Sequence, residues 1–229
     1  MLEYRETLAE NFSSRTVNTK LAAINGYLAF IGADEYKVQL LKVQRRAFID
    51  ESRELSAAEY KRLVNAADVG GNDRLSLVMQ TICATGIRIS ELSYITVDAV
   101  KERRMEIRLK GKSRTVIIPS KLCKKLVEYA RRQRIDTGAV FRTKGGKPLD
   151  RANVCHDMKR LCNAAHVERS KVFPHNLRHL FARAFYSIEK NLSHLADVLG
   201  HSSIETTRIY VAASSRQYER MLDKMKLIT

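Results

Sequence analysis

Apolar residues recur at helical spacing along most of the chain. Between positions 14 and 32, Val17, Leu21, Ile24, Leu28 and Ile31 form one stripe of a helix begun by Ser14 and closed by Gly32. A shorter helix is expected ahead of it, around Leu2 to Glu10. The stretch KVQRRAFIDESREL, 42–55, loses this period and reads as a connection. We therefore place a small helical unit at 1–47, a linker at 48–55 and a larger unit at 56–229. The larger unit opens on a capping box, Ser56 with Glu59, with Leu55 and Tyr60 placed as a hydrophobic staple. LSLVMQTICATG, ending at Gly86, reads as a buried helix. The period then changes to two: RMEIRLKGKSRTVIIP, 104–119, alternates on both sides of Gly111 and predicts a β-hairpin. KLCKKLVEYARRQ is helical again. AVFRT is expected to be a short strand before the turn KGGKP. From Asp150 onward the pattern is helical throughout. It closes with a helix over 215–227, capped by Ser215, on which Tyr218, Met221, Leu222, Met225 and Ile228 share a face. The expected fold class is mainly α with a small antiparallel β-sheet (α+β).

Composition narrows the partners. The 229 residues include 41 Lys and Arg against 25 Asp and Glu, a net charge of +16 spread along the chain. A basic folded surface of this kind points to nucleic acid. No apolar run approaches the ~18 residues of a membrane span. The charged start, MLEYRETLAENF, does not read as a signal peptide. The four cysteines, Cys83, Cys123, Cys155 and Cys162, form no C-x-x-C pair. They read as free thiols in a reducing compartment, the cytoplasm. Cys155, Cys162 and His166 have loosely metal-like spacing but sit in an apolar helical pattern, so no metal site is expected.

Three segments carry candidate chemistry. In ATGIRISELSYI, Gly86 ends a helix and Arg88 follows at once, placed against backbone rather than in open solvent. Glu91, three residues on, falls near it; a local ion pair would explain both. In FPHNLRHLFARAFYSI, Leu177, Leu180, Phe181, Ala184, Phe185 and Ile188 define an apolar face. His175 points away from that face and Arg178 lies on its flank, beside a helix N-terminus that favours anions. His179 shares the polar side. LGHSSIETTRIYV has the outline of a DNA-binding helix-turn-helix. Gly200 stops one helix, and Ser202 with Glu205 would cap the next. A regulator built on that motif would need neither His201 in the turn nor Tyr210 nine residues later. Around the hairpin turn, Lys110, Lys112 and Arg114 suit a groove or a phosphate, or merely guard an edge.

Taken together, ATGIRISEL, HNLRH, LGHSS and the tyrosine nine residues after its histidine resemble the tyrosine recombinase (phage integrase) family. The order Arg, Lys, His-x-x-Arg, His, Tyr runs over residues 56–211. The resemblance implies a site-specific DNA recombinase that cuts and rejoins DNA through a covalent 3′-phosphotyrosine, without metal, other cofactor or ATP. It implies that Arg88 and Arg178 hold the scissile phosphate and that Tyr210 attacks it. Lys110 would protonate the leaving 5′-oxygen, with Lys112 as the alternative. His175 would accept the Tyr210 proton, His201 would bind the phosphate, and Glu91 would support the site. Tyr186 and Tyr218 are the competing nucleophile candidates.

Lys112, Arg114 and Lys20 are expected to touch DNA. The N-terminal stretch YRETLAENFSSRTVNTKLAAINGYLAFIG resembles the last two helices of the family's core-binding domain, so 1–47 is read as part of one. The implied partners are double-stranded DNA and further copies of the chain, a tetramer joined through the C-terminal helix, with no membrane. The implied setting is a bacterial or archaeal cytoplasm beside the nucleoid, with a mobile element as the implied carrier. Two other readings fit part of the pattern: strand cleavage of the type IB topoisomerase kind, and a helix-turn-helix regulator without catalysis.

Overall fold

The computed structural model describes residues 2–43, 51–109, 111–143, 145–211, 219 and 222–225. The chain forms two compact units, Met1–Ala47 and Phe48–Thr229.

The first unit pairs α1 (Leu2–Asn11) with α2 (Ser14–Phe30). Ser13 rather than Ser14 is the N-cap of α2, its hydroxyl accepting from the Thr16 amide. Of the expected stripe, Val17 and Leu21 are buried with Leu8 and Val38, while Ile31 is exposed. The core is therefore short, and polar contacts supplement it. Asn18 and Asn25, two turns apart on α2, each bind the backbone of the extended segment after it. Asn18 accepts from the Leu41 amide at 2.7 Å and donates to its carbonyl at 2.8 Å. Asn25 does the same to Val38, at 3.2 and 2.8 Å. Each amide side chain thus behaves like the backbone of a neighbouring strand.

The second unit starts before the capping box. Leu55, read as the end of a linker, is fully buried in its core. The Ser56–Glu59 box forms as expected and opens α3 (Ala57–Val69). Next, α4 (Asp73–Thr85) is the central buried helix, with Leu75, Leu77, Val78, Met79 and Ile82 in the core. A 3₁₀ turn (Ile89–Tyr94) and α5 (Val97–Glu102) lead to the hairpin. Its strands β1 (Arg104–Leu109) and β2 (Lys112–Ile117) pair antiparallel, with Ile107 opposite Arg114. Then comes α6 (Ser120–Arg132).

AVFRT does not form a strand. It carries only isolated bridges, Ala139 to Thr96 and Arg142 to Pro148, because its Val140 and Phe141 turn into the core next to Tyr129. The remaining helices are α7 (Arg151–Arg160), α8 (Cys162–Ala165), α9 (Pro174–Ile188), α10 (Leu192–Leu199) and α11 (Ile204–Val211). In α9 the buried face is centred on Leu177, Leu180 and Ala182, and Ile188 is exposed. Ser203, not Ser202, caps α11, accepting from the Glu205 amide. Of the expected helix over 215–227, only residues 219 and 222–225 are described, and these are helical. No helix among the described residues is long and apolar enough to cross a membrane.

Candidate active site

The C-terminal ends of α4 and α10 meet beside the N-terminal half of α9. Both ends stop on glycines in the left-handed conformation, Gly86 and Gly200. A β-carbon on Gly86 would fall 2.4 Å from the Phe181 ring, and one on Gly200 would fall 2.6 Å from the Arg114 guanidinium. Close approach and positive φ both require glycine here.

Arg178, only 1 % exposed, reaches into this junction from α9. Its Nη1 donates to the Gly86 carbonyl, and its Nη2 donates to the Leu199 carbonyl at 2.8 Å. Helix C-termini carry partial negative charge, so two of them make a natural seat for a buried cation. The same Nη2 lies 2.9 Å from His201 Nε2. A guanidinium has only donors, so Nε2 accepts. Nδ1 then carries the proton and donates to the Thr207 hydroxyl, 2.9 Å away. Burial, reinforced by Arg88 and partly offset by Tyr210 and Glu91, lowers Arg178 to about 10. Burial and then Arg178, Arg88 and Arg114 push His201 down to about 4, so it is neutral at ordinary pH.

Arg88 stands at the start of the 3₁₀ turn, its side chain 41 % exposed toward the cleft. Glu91, fully buried, binds it twice: Arg88 N donates to Oε2 at 2.7 Å and Arg88 Nη1 to Oε1 at 3.0 Å. Arg114 completes the set with a two-point bond to the same carboxylate, 3.0 and 2.7 Å. Burial pushes the Glu91 carboxyl up, but the hydrogen bonds and charges of Arg114 and Arg88 outweigh it and leave it below its usual range. Glu91 is ionised, and it fixes the arginine exposed to the cleft.

Tyr210 approaches from α11. Its ring is buried and its hydroxyl lies 3.2 Å from His175 Nε2. His175 keeps part of its ring in solvent. Desolvation of the rest, followed by His179, Arg178, Arg151 and Arg88, lowers it to about 4. The ring is therefore neutral at ordinary pH, and in the tautomer with its proton on Nδ1 the Nε2 atom accepts from the phenol.

The structure brings Arg88, Glu91, His175, Arg178, His201 and Tyr210 together around one cleft. Lys110 lies outside the described residues. Lys112 pairs with Leu109 at the hairpin tip. Arg114, expected to face DNA, is instead held inside by Glu91. The signal was in the alternation: Arg114 shares its strand face with buried Val116. Lys20 belongs to the first unit, its ammonium 3.8 Å from the centre of the Phe12 ring. Tyr186 is partly buried against the α9–α10–α11 cluster, with Lys190 over its ring; Tyr218 lies outside the described residues. Among the described residues no group of His, Cys, Asp or Glu is arranged to hold a metal ion.

Residues 53–217 match the phage integrase family model. The chain belongs to the phage integrase family. It is 26% identical over 229 residues to the tyrosine recombinase XerA of Pyrococcus furiosus, covering 96% of this chain and 77% of that one. It is 33% identical over 183 residues to the tyrosine recombinase XerH of Campylobacter jejuni, covering 76% of this chain and half of that protein. Among solved structures, a XerH site-specific recombinase bound to palindromic difH substrate in a post-cleavage complex superposes with a TM-score of 0.78. That match covers 96% of this chain and 68% of the other at 22% identity, so it speaks to the fold. Family membership makes this chain a tyrosine recombinase, an enzyme of DNA strand breakage and rejoining. It favours neither the topoisomerase nor the regulator reading.

Proposed function

We propose that the cleft takes one phosphodiester of duplex DNA and that Tyr210 attacks its phosphorus. The carrying observation is the Tyr210 hydroxyl placed 3.2 Å from His175 Nε2, next to a buried arginine. The Tyr210 Oη–P bond forms and the P–O5′ bond breaks. His175 takes the phenolic proton, and Lys110, or Lys112, gives one to the leaving 5′-oxygen. Arg88, Arg178 and His201 hold the non-bridging oxygens, where charge grows in the transition state. The 3′-phosphotyrosine stores the bond energy, so a 5′-hydroxyl from a second strand reverses the reaction without ATP.

Glu91 keeps Arg88 in register. The basic surface binds the flanking phosphates, with Lys112 and Lys20 as contacts and the first unit serving as part of a core-binding domain. Several copies assemble on two duplexes, as a tetramer tied by the C-terminal segment. The working site is the nucleoid of a bacterial or archaeal cytoplasm, and a mobile element would be a natural carrier.

A nicked suicide duplex bearing the cognate site tests this reading. The wild-type protein is expected to form a denaturant-stable adduct, and Tyr210→Phe to bind the duplex without forming one. An adduct that persists in Tyr210→Phe would overturn the assignment. Strand exchange between two sites distinguishes recombination from relaxation alone.

A further inference from the structure

Three imidazoles surround the Tyr210 ring, and the one nearest to it has no part in the chemistry above. The His179 ring centroid is 4.3 Å from that of Tyr210, against 5.1 Å for His201 and 5.4 Å for His175. His179 also packs on His175, with centroids 4.7 Å apart. The reason lies in α9: His175, His179 and Arg183 are spaced by four and form one row along the helix. At the far end of the row stands Glu54. His179 Nδ1 is 3.2 Å from Glu54 Oε1. Arg183 Nη1 binds the other carboxylate oxygen, and Arg183 Nη2 donates to the Leu55 carbonyl at 2.6 Å. Both partners of the His179–Glu54 bond are shielded, with side chains 14 % and 15 % exposed. Burial raises the Glu54 carboxyl, and His179 and Arg183 more than reverse this, so it is ionised.

A phenol on an eight-residue helix can rotate about its side-chain bonds. Attack requires its oxygen in line with the P–O5′ bond and on His175. A fixed ring pressed against the phenol restricts that rotation. An imidazole is fixed only if its own nitrogen is anchored. The sequence residue that supplies the anchor lies just before the second unit's first helix, in the stretch that reads as linker.

We infer that Glu54 and His179 are positioning residues for the nucleophile: Glu54 anchors the His179 imidazole, which holds the Tyr210 ring so that its hydroxyl meets His175. The inference rests on the proposed role of Tyr210, and it adds a carboxylate–imidazole–phenol chain that starts in the segment just ahead of α3. Glu54 and His179 touch no reacting atom; they act through Tyr210.

The test uses the full chain and the nicked suicide duplex, measuring the adduct-forming rate constant at saturating protein, the duplex Kd and the unfolding temperature. Glu54→Ala and His179→Ala are expected to slow adduct formation by about 10-fold or more with Kd within about twofold, since misplacing a nucleophile costs rate rather than affinity. Glu54→Gln keeps an acceptor for His179 and should recover the rate to within about threefold of wild type. Because the two residues act in series, Glu54→Ala/His179→Ala should be no slower than His179→Ala alone. A merely structural role would give multiplying losses and no rescue by Gln, and either result overturns the inference. So does a folded His179→Ala protein that cleaves at the wild-type rate. A wild-type protein that forms no adduct overturns the proposed activity, and this inference with it, whereas variant-to-wild-type ratios test the positioning alone.

Discussion

Compare the two walls of the cleft. On the arginine wall, the Glu91 carboxylate receives four hydrogen bonds from Arg88 and Arg114, and Arg178 is seated on two helix ends. Much of its donor capacity is already used inside the protein. On the tyrosine wall, Tyr210 lies among three imidazoles, and the two with strongly lowered pKa values, His175 and His201, are uncharged near neutrality. The first wall is an electrostatic framework that also holds the fold together. The second sets the phenol oxygen beside the His175 nitrogen, 3.2 Å away. Glu91 and Arg114 bear on stability and Tyr210 and His175 on the proposed reaction, and substitutions should separate the two.

The largest separation is expected from Tyr210→Phe. Adduct formation should vanish while the unfolding temperature moves little, because the ring still fills its place and loses only one partly exposed hydrogen bond. Gel detection of the adduct beside thermal unfolding checks both halves. A large loss of stability would show that the tyrosine wall is structural after all.

Arg178→Lys should cut the cleavage rate by about 10²-fold or more, the scale seen when one preorganised donor to a developing oxyanion is lost. A lysine cannot serve both helix ends and the phosphate in fixed geometry. Single-turnover cleavage of the nicked duplex reads this directly, and a rate near wild type would remove Arg178 from the chemistry.

Glu91→Ala should invert the balance. It leaves the Arg114 guanidinium, whose side chain is 13 % exposed, without its partner. Removing one member of a buried pair costs on the order of 3–5 kcal/mol, so chemical denaturation should show a loss of that size, with slower cleavage following as Arg88 drifts. A loss below about 1 kcal/mol would place Glu91 among ordinary surface ion pairs.

The last effect is in pH. The folded values for His175 and His201, about 4, lie below the ordinary 6.5. Between these values the unfolded chain binds protons that the folded chain does not. The stabilising contribution is therefore complete above about 6.5 and is lost as pH falls toward 4. The unfolding temperature should decline across that window. Cleavage should continue at pH 5–6 and fail near 4, when His175 can no longer accept a proton. A cleavage profile that breaks near 6.5 would contradict the depressed value at His175.

The hydrophobic pattern was sufficient for α3, α4, α6 and α9, for the hairpin and for the glycines that end α4 and α10. These rest on local rules: periodicity, capping and the freedom of glycine at positive φ. Where two local solutions compete, the pattern was ambiguous by a residue or an element. Ser202 reads as the cap of α11, and the contact formed is to Ser203. AVFRT has strand composition, yet Val140 and Phe141 serve the core better in an irregular path. Asn18 and Asn25 look like polar interruptions of a helix until their backbone partners at 41 and 38 are seen.

By itself, the sequence picked out the candidate residues: Arg88, His175, Arg178, His201 and Tyr210 stand in fixed order at informative spacings. The distribution of charge among them was left to the tertiary structure. That Arg114 pairs with Glu91, that Arg178 is buried, that two histidines are neutral and that Glu54 reaches the imidazole beside Tyr210 all depend on segments far apart in the chain. The reason is physical. Local structure follows from near-neighbour sterics and periodic burial, whereas pKa values and ion pairing depend on desolvation and on distances across the fold, which exist only once the helices have packed.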